Sequence, residues 1–154
     1  MTEFRRKTVS YLIASVLRIG EFPVLPGTIA SLVALLVHVF YFHRLGVWGL
    51  GWVAAVGASG LIASHRLLQG SPSQDPSWIV VDEFLGMMIS LIFIPLRWPF
   101  LLLGFCLFRF FDITKLFPIN RLERLPGAWG VVFDDVGAGL YTNLILQIFV
   151  RLTS

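Results

Sequence analysis

Long apolar stretches occupy most of this sequence and limit the folds that are open to it. Five of them run over residues 28–42 (extended by 43–45), 47–64, 78–96, 98–117 and 129–149. A helix needs about 20 mostly apolar residues to cross a bilayer, and each stretch approaches that length. Hydrophobic residues make up 56% of the 154-residue chain and charged residues only 14%, which is more apolar surface than a soluble domain of this size can bury. We therefore predict an all-α fold, a polytopic membrane helical bundle with about five transmembrane helices.

The rest of the sequence indicates a single domain over residues 1–154. Its apolar content excludes a disordered chain and a basic nucleic-acid-binding arm, so we expect no nucleic-acid partner. The single cysteine, Cys106, allows no intrachain disulfide. Within the N-terminal segment 1–20, residues 8–19 are apolar on one side, which predicts a short helix lying along the membrane interface.

Basic residues set the expected orientation of the chain in the membrane. With a cytoplasmic N-terminus and five spans, nine of the twelve basic residues lie on the cytoplasmic side, and only Arg44, Arg97 and Arg151 lie outside. The third and fifth stretches then start at the cytoplasmic face, the fourth ends there, and the turn at residues 26–28 opens the first. Charged residues from separate segments meet at this one face: Asp82, Glu83, Arg109, Asp112, Lys115, Asp134 and Asp135.

Five of the nine acidic residues belong to this set, and their charge requires compensation. An ionised side chain costs about 2.5–3.5 kcal/mol at the bilayer centre and less near the interface. Set against Arg109, Lys115 and Arg121, the five acids leave a net charge of −2, which one divalent cation balances. Carboxylates without a thiolate or a nearby histidine favour a hard, oxygen-ligated ion such as Mg²⁺. Gly86 and Gly139 follow acids by one helical turn, so neighbouring helices can close around the carboxylates.

Each of these features also has a simpler structural explanation. Acid pairs are favoured in the first turn of any helix by the helix dipole, and Arg109 and Lys115 are placed where basic side chains extend toward the interface. The turn at residues 26–28 predicts a helix start with Thr28 as the capping hydroxyl, although a helix N-terminus approached by glycine also suits an anion. Two acid pairs together with Asp112 at one depth favour a functional site.

Five motifs carry a resemblance to a known family. They are FPVLPGT at 22–28, VDEFLGMMI at 81–89, FRFFDITK at 108–115, FPI at 117–119 and FDDVGAG at 133–139. In this order they resemble phosphatidylglycerophosphatase A, a family of bacterial membrane enzymes that convert phosphatidylglycerophosphate to phosphatidylglycerol. The resemblance covers residues 20–140, and its departures, at Ala30, Leu116 and Ala128, remove no charged group.

The resemblance implies a single integral membrane phosphatase domain, a Mg²⁺-dependent phosphoric monoester hydrolase. It implies a multi-pass protein of the bacterial cytoplasmic (inner) membrane, whose active site lies on the cytoplasmic side. Its expected partners are the lipid substrate phosphatidylglycerophosphate and the bilayer itself. On this hypothesis the catalytic residues are Asp82, Glu83, Asp112, Asp134 and Asp135, with Asp82, Glu83, Asp134 and Asp135 as metal ligands. The phosphate-binding residues are Gly27, Thr28, Arg109 and Lys115.

Several alternatives stay open at this point. The attacking group is a metal-activated water or an aspartate that forms a covalent phosphoenzyme, the metal ions number one or two, and the oligomeric state is unknown. An ion or proton transporter is the main rival function, because acids within a membrane often mark ion pathways. It needs polar residues through the whole bilayer, whereas the outer halves of these stretches are mostly Leu, Ile, Phe and Val. A non-catalytic assembly subunit would have no use for a cation site.

Overall fold

The structure, a computed structural model, describes residues 2–69 and 76–153. Every regular element in these two ranges is helical, which confirms the all-α prediction. The seven α-helices are α1 (Thr2–Ala14), α2 (Pro26–Phe40), α3 (Gly49–Leu68), α4 (Val81–Ser90), α5 (Trp98–Thr114), α6 (Ile119–Leu122) and α7 (Ala128–Thr153). Short 3₁₀ segments at Ile19–Glu21 and Phe42–Trp48 precede α2 and α3.

Two helical stretches in the described ranges are long and apolar enough to cross a membrane, Phe42–Leu68 and Ala128–Thr153. They correspond to the second and fifth predicted spans. The first and fourth correspond to α2, with 15 residues, and α5, with 17 residues, which are shorter than the roughly 20 residues of an ordinary span. The prediction of five full spans is therefore not confirmed.

The predicted continuous helix over residues 78–96 is wrong. The helix in this region, α4, has 10 residues and ends at Ser90, so it is about 15 Å long, half of a hydrocarbon core of about 30 Å. The next residues remain apolar, but Leu91 to Ile94 form turns in which Phe93 has a positive φ of 58°. Hydropathy alone could not predict where this helix ends. The carbonyl groups at the end of α4 accept hydrogen bonds from a side chain of α7, which is distant in the sequence.

The short helix α4 is the centre of the bundle. All of its residues except Glu83 and Phe84 are buried, and it packs most extensively against α7 and then against α2. The largest completely buried side chains, Phe108, Met87, Met88 and Leu91, lie on α4, just after it, or on α5. The outer helices instead expose large apolar side chains, which is favourable where a helix faces lipid rather than water. The first turn of this central helix carries Asp82 and Glu83.

The N-terminal helix supports the segment that leads into α4. The predicted helix over residues 8–19 ends at Ala14, and the backbone then turns left-handed at three successive residues, Val16 to Arg18. The amide of Val80 donates a hydrogen bond to the Ala14 carbonyl at 2.9 Å, and the ring of Tyr11 lies 5.0 Å from that of Trp78. This helix thus fixes the approach to α4, while its location at the membrane interface stays a prediction.

Candidate active site

A polar cavity of about 250 Å³ lies at the end of the bundle where α2, α4 and α7 begin and α5 ends. Its charged lining consists of Asp82 and Glu83 on α4, Arg109 and Asp112 on α5, Lys115 just after α5, and Asp134 and Asp135 on α7. The structure therefore brings together all seven charged residues that the sequence predicted to meet, with Gly27 of α2 beside them. Thr28 and Arg121 are not in the lining; the Arg121 guanidinium lies 4.8 Å from the Phe117 ring centroid.

Three carboxylates form the closest acidic group in this cavity. Asp82, Glu83 and Asp135 each offer an oxygen, and these oxygens lie within 4.8 Å of one another. Asp82 and Asp135 are only 5% and 3% exposed. The Oε2 atom of Glu83 is buried and has no hydrogen-bond partner among the described residues. Because an unpaired buried carboxylate oxygen is costly, this all-oxygen donor set fits a hard divalent cation such as Mg²⁺.

Two glycines explain how these carboxylates come close. Gly86 follows Asp82 by one helical turn, and Gly139 follows Asp135 in the same way. A Cβ atom on Gly139 would overlap the Gly86 carbonyl, and one on Gly86 would lie 2.6 Å from the carbonyl oxygen of Asp135. The backbones of α4 and α7 are therefore in direct contact, and the acids one turn earlier on each helix reach the same point.

Asp134 lies outside the group of three and instead forms an ion pair with Lys115. Lys115 ends α5 in a left-handed conformation with φ 45°, and its Nζ also lies 3.2 Å from Oε1 of Glu123. The predicted role of Asp134 as a metal ligand stays a prediction. No sequence pattern indicated a role for Glu123, because it lies in the irregular connection that follows α6. The short helix α6 turns this connection back toward Lys115.

Arg109 is held by an acid on its own helix. Its Nη1 donates a 2.6 Å hydrogen bond to Oδ2 of Asp112, one turn later on α5. Its Nε is buried and has no partner in the part of the chain that the structure describes. A guanidinium with free donors is well suited to phosphate oxygens, so Arg109 retains binding capacity despite this ion pair.

The N-terminus of α2 opens onto the same cavity, but the prediction that Thr28 caps this helix is wrong. Leu25 occupies the capping position with φ 49° and makes no side-chain capping hydrogen bond. The reason is that Pro26 takes the first helical position, which proline favours, so the cap must precede it. Gly27 packs against the Glu83 carboxylate, which a Cβ at this position would overlap. The first amides of a helix have no intrahelical partner, and those of Gly27 and Thr28 are in this class.

Comparison with known proteins identifies the family. The sequence model of phosphatidylglycerophosphatase A matches residues 12–150. The chain belongs to the phosphatidylglycerophosphatase A family. Phosphatidylglycerophosphatase A of Haemophilus influenzae is 37% identical over 124 residues, covering 79% of this chain and 76% of that protein. Its namesake in Escherichia coli is 34% identical over 131 residues, covering 82% and 75%.

A third relative bears a different name. A Bacteroides thetaiotaomicron protein named "Putative phosphatidylinositol-3-phosphatase" is 33% identical over 137 residues, covering 84% of this chain and 86% of its own. No solved structure matches the chain. Membership of the phosphatidylglycerophosphatase A family confirms the resemblance and makes the protein a phosphatase, a phosphoric monoester hydrolase. The two apolar helices and the bacterial relatives together support a membrane protein.

Proposed function

We propose that this protein is a Mg²⁺-dependent phosphatase that hydrolyses phosphatidylglycerophosphate to phosphatidylglycerol at the cytoplasmic face of the bacterial inner membrane. The observation that carries the proposal is the cavity in which the carboxylates of Asp82, Glu83 and Asp135 lie beside Arg109 and Lys115. Such a cavity can hold both a divalent cation and a phosphate group.

A transporter is less consistent with the interior of this bundle. The acidic groups lie in the first turn of α4 and about two turns into α7, near the cavity ends of both helices. Beyond them the core is filled by Met87, Met88, Leu91, Phe108 and Leu146, all of them at most 1% exposed. A path for ions needs a continuous polar route through the membrane. The buried polar residues beyond the acids, such as Ser90 and Thr142, are not ionisable and lie in a core that is otherwise mostly apolar.

Asp82, Glu83 and Asp135 would hold the Mg²⁺. Asp134 would complete the ligand set, directly or through water, or would serve only as the partner of Lys115. When bound, the ion would neutralise charge on the phosphate and make a coordinated water more acidic.

Arg109 and Lys115 would bind the phosphate oxygens. Each is oriented by a carboxylate, Arg109 by Asp112 and Lys115 by Asp134, so both charges are in place before the lipid arrives. The amide of Gly27 would add a neutral donor at a helix N-terminus, a common anion site. Thr28, the next residue, stays a predicted phosphate-binding residue outside the described lining. Because the cavity lies at helix ends, it would reach a terminal phosphate at headgroup depth while the acyl chains remain in the bilayer.

The reaction then needs little more than positioning and charge neutralisation. In the direct route, a water oxygen bonds to phosphorus, the ester bond to the lipid glycerol breaks, one carboxylate accepts the proton of the water, and the departing alkoxide takes up a proton. In the covalent route, an aspartate oxygen bonds to phosphorus as the ester bond to the lipid glycerol breaks and the departing alkoxide takes up a proton. A water oxygen then bonds to phosphorus, the bond to the aspartate breaks, and phosphate and the free carboxylate are released. Both routes use the same side chains, and trapping of a phosphorylated enzyme separates them.

The test is phosphate release from phosphatidylglycerophosphate by the purified full chain, with Mg²⁺ and with excess chelator. We expect activity only with the metal ion. Asp82→Asn, Asp112→Asn and Asp135→Asn should each lose at least about tenfold in rate, or about 1.4 kcal/mol. Glu21→Gln is the matched control, because Glu21 is paired with Arg18 at the surface and does not line the cavity. Full activity in chelator, or in all three aspartate variants, would refute the proposal.

A further inference from the structure

The carbonyl groups at the end of α4 lie inside the bundle and are bound by two amide side chains. Nδ2 of Asn143 donates hydrogen bonds to the carbonyl oxygens of Ser90 at 3.1 Å and Ile92 at 2.8 Å. Nε2 of Gln147 donates to the same Ile92 oxygen at 3.3 Å. Helix ends normally leave such carbonyls to water, but the adjacent Leu91 is completely buried. The amides of α7 therefore replace solvent where α4 stops.

These amides belong to a stripe that also carries a site carboxylate. Asp135, Gly139, Asn143 and Gln147 follow one another at intervals of four residues on α7, and so share one helix face. On α4, Asp82, Gly86 and Ser90 have the same spacing. Both helices begin at the cavity and run in the same direction. Each residue of one stripe therefore lies beside the corresponding residue of the other, and we call each such pair a level.

Each level of this pairing is present in the structure. Asp82 and Asp135 belong to the same cluster of three carboxylates, Gly86 contacts Gly139, and Asn143 binds the Ser90 carbonyl. On each helix the acid and the last level are eight residues apart, about 12 Å. A hydrogen bond at one end of α4 thus fixes the register that places its carboxylates at the other end.

We propose that Asn143, assisted by Gln147, is a positioning residue for the phosphatase reaction. Its amide fixes the position of α4 along the axis of α7 and so sets the separation between Asp82 and Asp135. The inference rests on the proposed function, in which these carboxylates hold the divalent cation. Asn143 does not line the cavity and acts only through the helix it holds.

The amide is needed because a residue of similar size without a donor would pack but leave the Ser90 carbonyl without its side-chain partner and the Ile92 carbonyl with only the longer bond from Gln147. Such groups are costly, and α4 would relieve the cost by winding further or sliding toward water. A change of register by one residue moves a helix by about 1.5 Å, which is large beside the tolerance of about 0.2 Å in a metal–ligand distance.

The test compares Asn143→Leu with the unchanged protein, purified as the full chain in detergent, with Mn²⁺ as the probe. Free Mn²⁺ is measured by electron paramagnetic resonance, and kcat and KM are measured at several Mg²⁺ concentrations. We expect the Mn²⁺ Kd to rise about 10- to 100-fold, as for other residues that orient metal ligands. The value of kcat should fall and recover partly at high Mg²⁺. KM should change little, because the phosphate-binding residues Arg109 and Lys115 are not on α4.

Two further variants complete the experiment. Gln147→Leu removes one longer hydrogen bond and should weaken Mn²⁺ binding in the same direction but less. Thr142→Val is the matched control, because Thr142 is the buried neighbour of Asn143 and its hydroxyl has no hydrogen-bond partner in the described ranges. It should leave the Mn²⁺ Kd unchanged.

Each adverse result has a distinct meaning. An unchanged Mn²⁺ Kd in folded Asn143→Leu overturns the inference, as does a loss in Thr142→Val that equals the loss in Asn143→Leu. If Asn143→Leu does not fold, Gln147→Leu decides, and an unchanged Kd there overturns the inference. Absence of Mn²⁺ binding to the unchanged protein overturns the proposed metal site itself, and the positioning role with it.

Discussion

The contact between α4 and α7 at Gly86 makes the most quantitative prediction about this protein. In Gly86→Ala, the new methyl group would lie 2.5 Å from Cε2 of Phe108 and 2.6 Å from the carbonyl oxygen of Asp135. Phe108 is completely buried and cannot swing aside, and the other contact is helix backbone. The two helices must therefore separate by roughly 0.8 Å to restore an ordinary contact of about 3.4 Å.

This separation should affect activity far more than stability. Overpacking of a core costs about 1–3 kcal/mol, and alanine regains about 1 kcal/mol over glycine within a helix. The net loss of folding free energy is thus at most about 2 kcal/mol, and the variant should fold. The shift falls between Asp82 and Asp135, however, and a displacement near 1 Å can cost about 100-fold in rate. We expect kcat/KM to fall by about that factor.

The assay is phosphate release from phosphatidylglycerophosphate, run beside Mn²⁺ binding and thermal unfolding. Gly57→Ala is the matched control: it lies on α3 and also faces α4, but its added methyl group would meet Leu85 at an ordinary 3.4 Å. Both substitutions gain the same helix propensity, so their difference reports the contact alone. A folded Gly86→Ala protein with the same kcat/KM and Mn²⁺ affinity as Gly57→Ala would refute this account of the helix crossing.

Two further predictions concern the rim of the cavity. In Gly27→Ala, the new methyl group displaces the flexible end of the Glu83 side chain rather than backbone. Mn²⁺ binding should therefore weaken about tenfold, while the melting temperature barely changes. Normal Mn²⁺ affinity would exclude Glu83 as a ligand. Glu123→Gln removes the charge of a half-exposed partner of Lys115, and such ion pairs contribute about 0.2–1 kcal/mol. Lys115 is then freer to bind the phosphate, so KM should fall about twofold at low salt with kcat unchanged. An unchanged KM would show that Glu123 does not compete for Lys115.

The positions of the helices were largely predictable, because hydropathy marks apolar segments and their order fixes which ends meet. The convergence of Asp82, Arg109 and Asp135 follows from that order alone, since α4 and α7 start at the face where α5 ends. Local termination was less predictable. The cap at Leu25 depends on a left-handed residue before proline, for which leucine gives no signal.

Features that depend on distant residues could not be predicted. Where α4 stops, Asn143 and Gln147 bind the carbonyl groups of Ser90 and Ile92 from more than fifty residues away. The division of the two aspartates on α7 has a similar origin. Asp134 pairs with Lys115 and Asp135 joins Asp82 and Glu83, because adjacent residues on a helix point about 100° apart and each faces a different neighbour.

The structure changes the charge balance that the sequence implied. Arg121 lies against Phe117 and outside the cavity. Among the described residues, the five carboxylates therefore face only Arg109 and Lys115 and leave three uncompensated negative charges when all are ionised. One divalent ion would leave one of these, and a phosphate dianion would add two more. On the proposed function, we expect binding of the lipid phosphate to be coupled to further positive charge, either a second cation or a proton on a carboxylate. The close contact of α4 with α7 holds Asp82 and Asp135 near each other, and the repulsion of like charges at this distance favours such compensation.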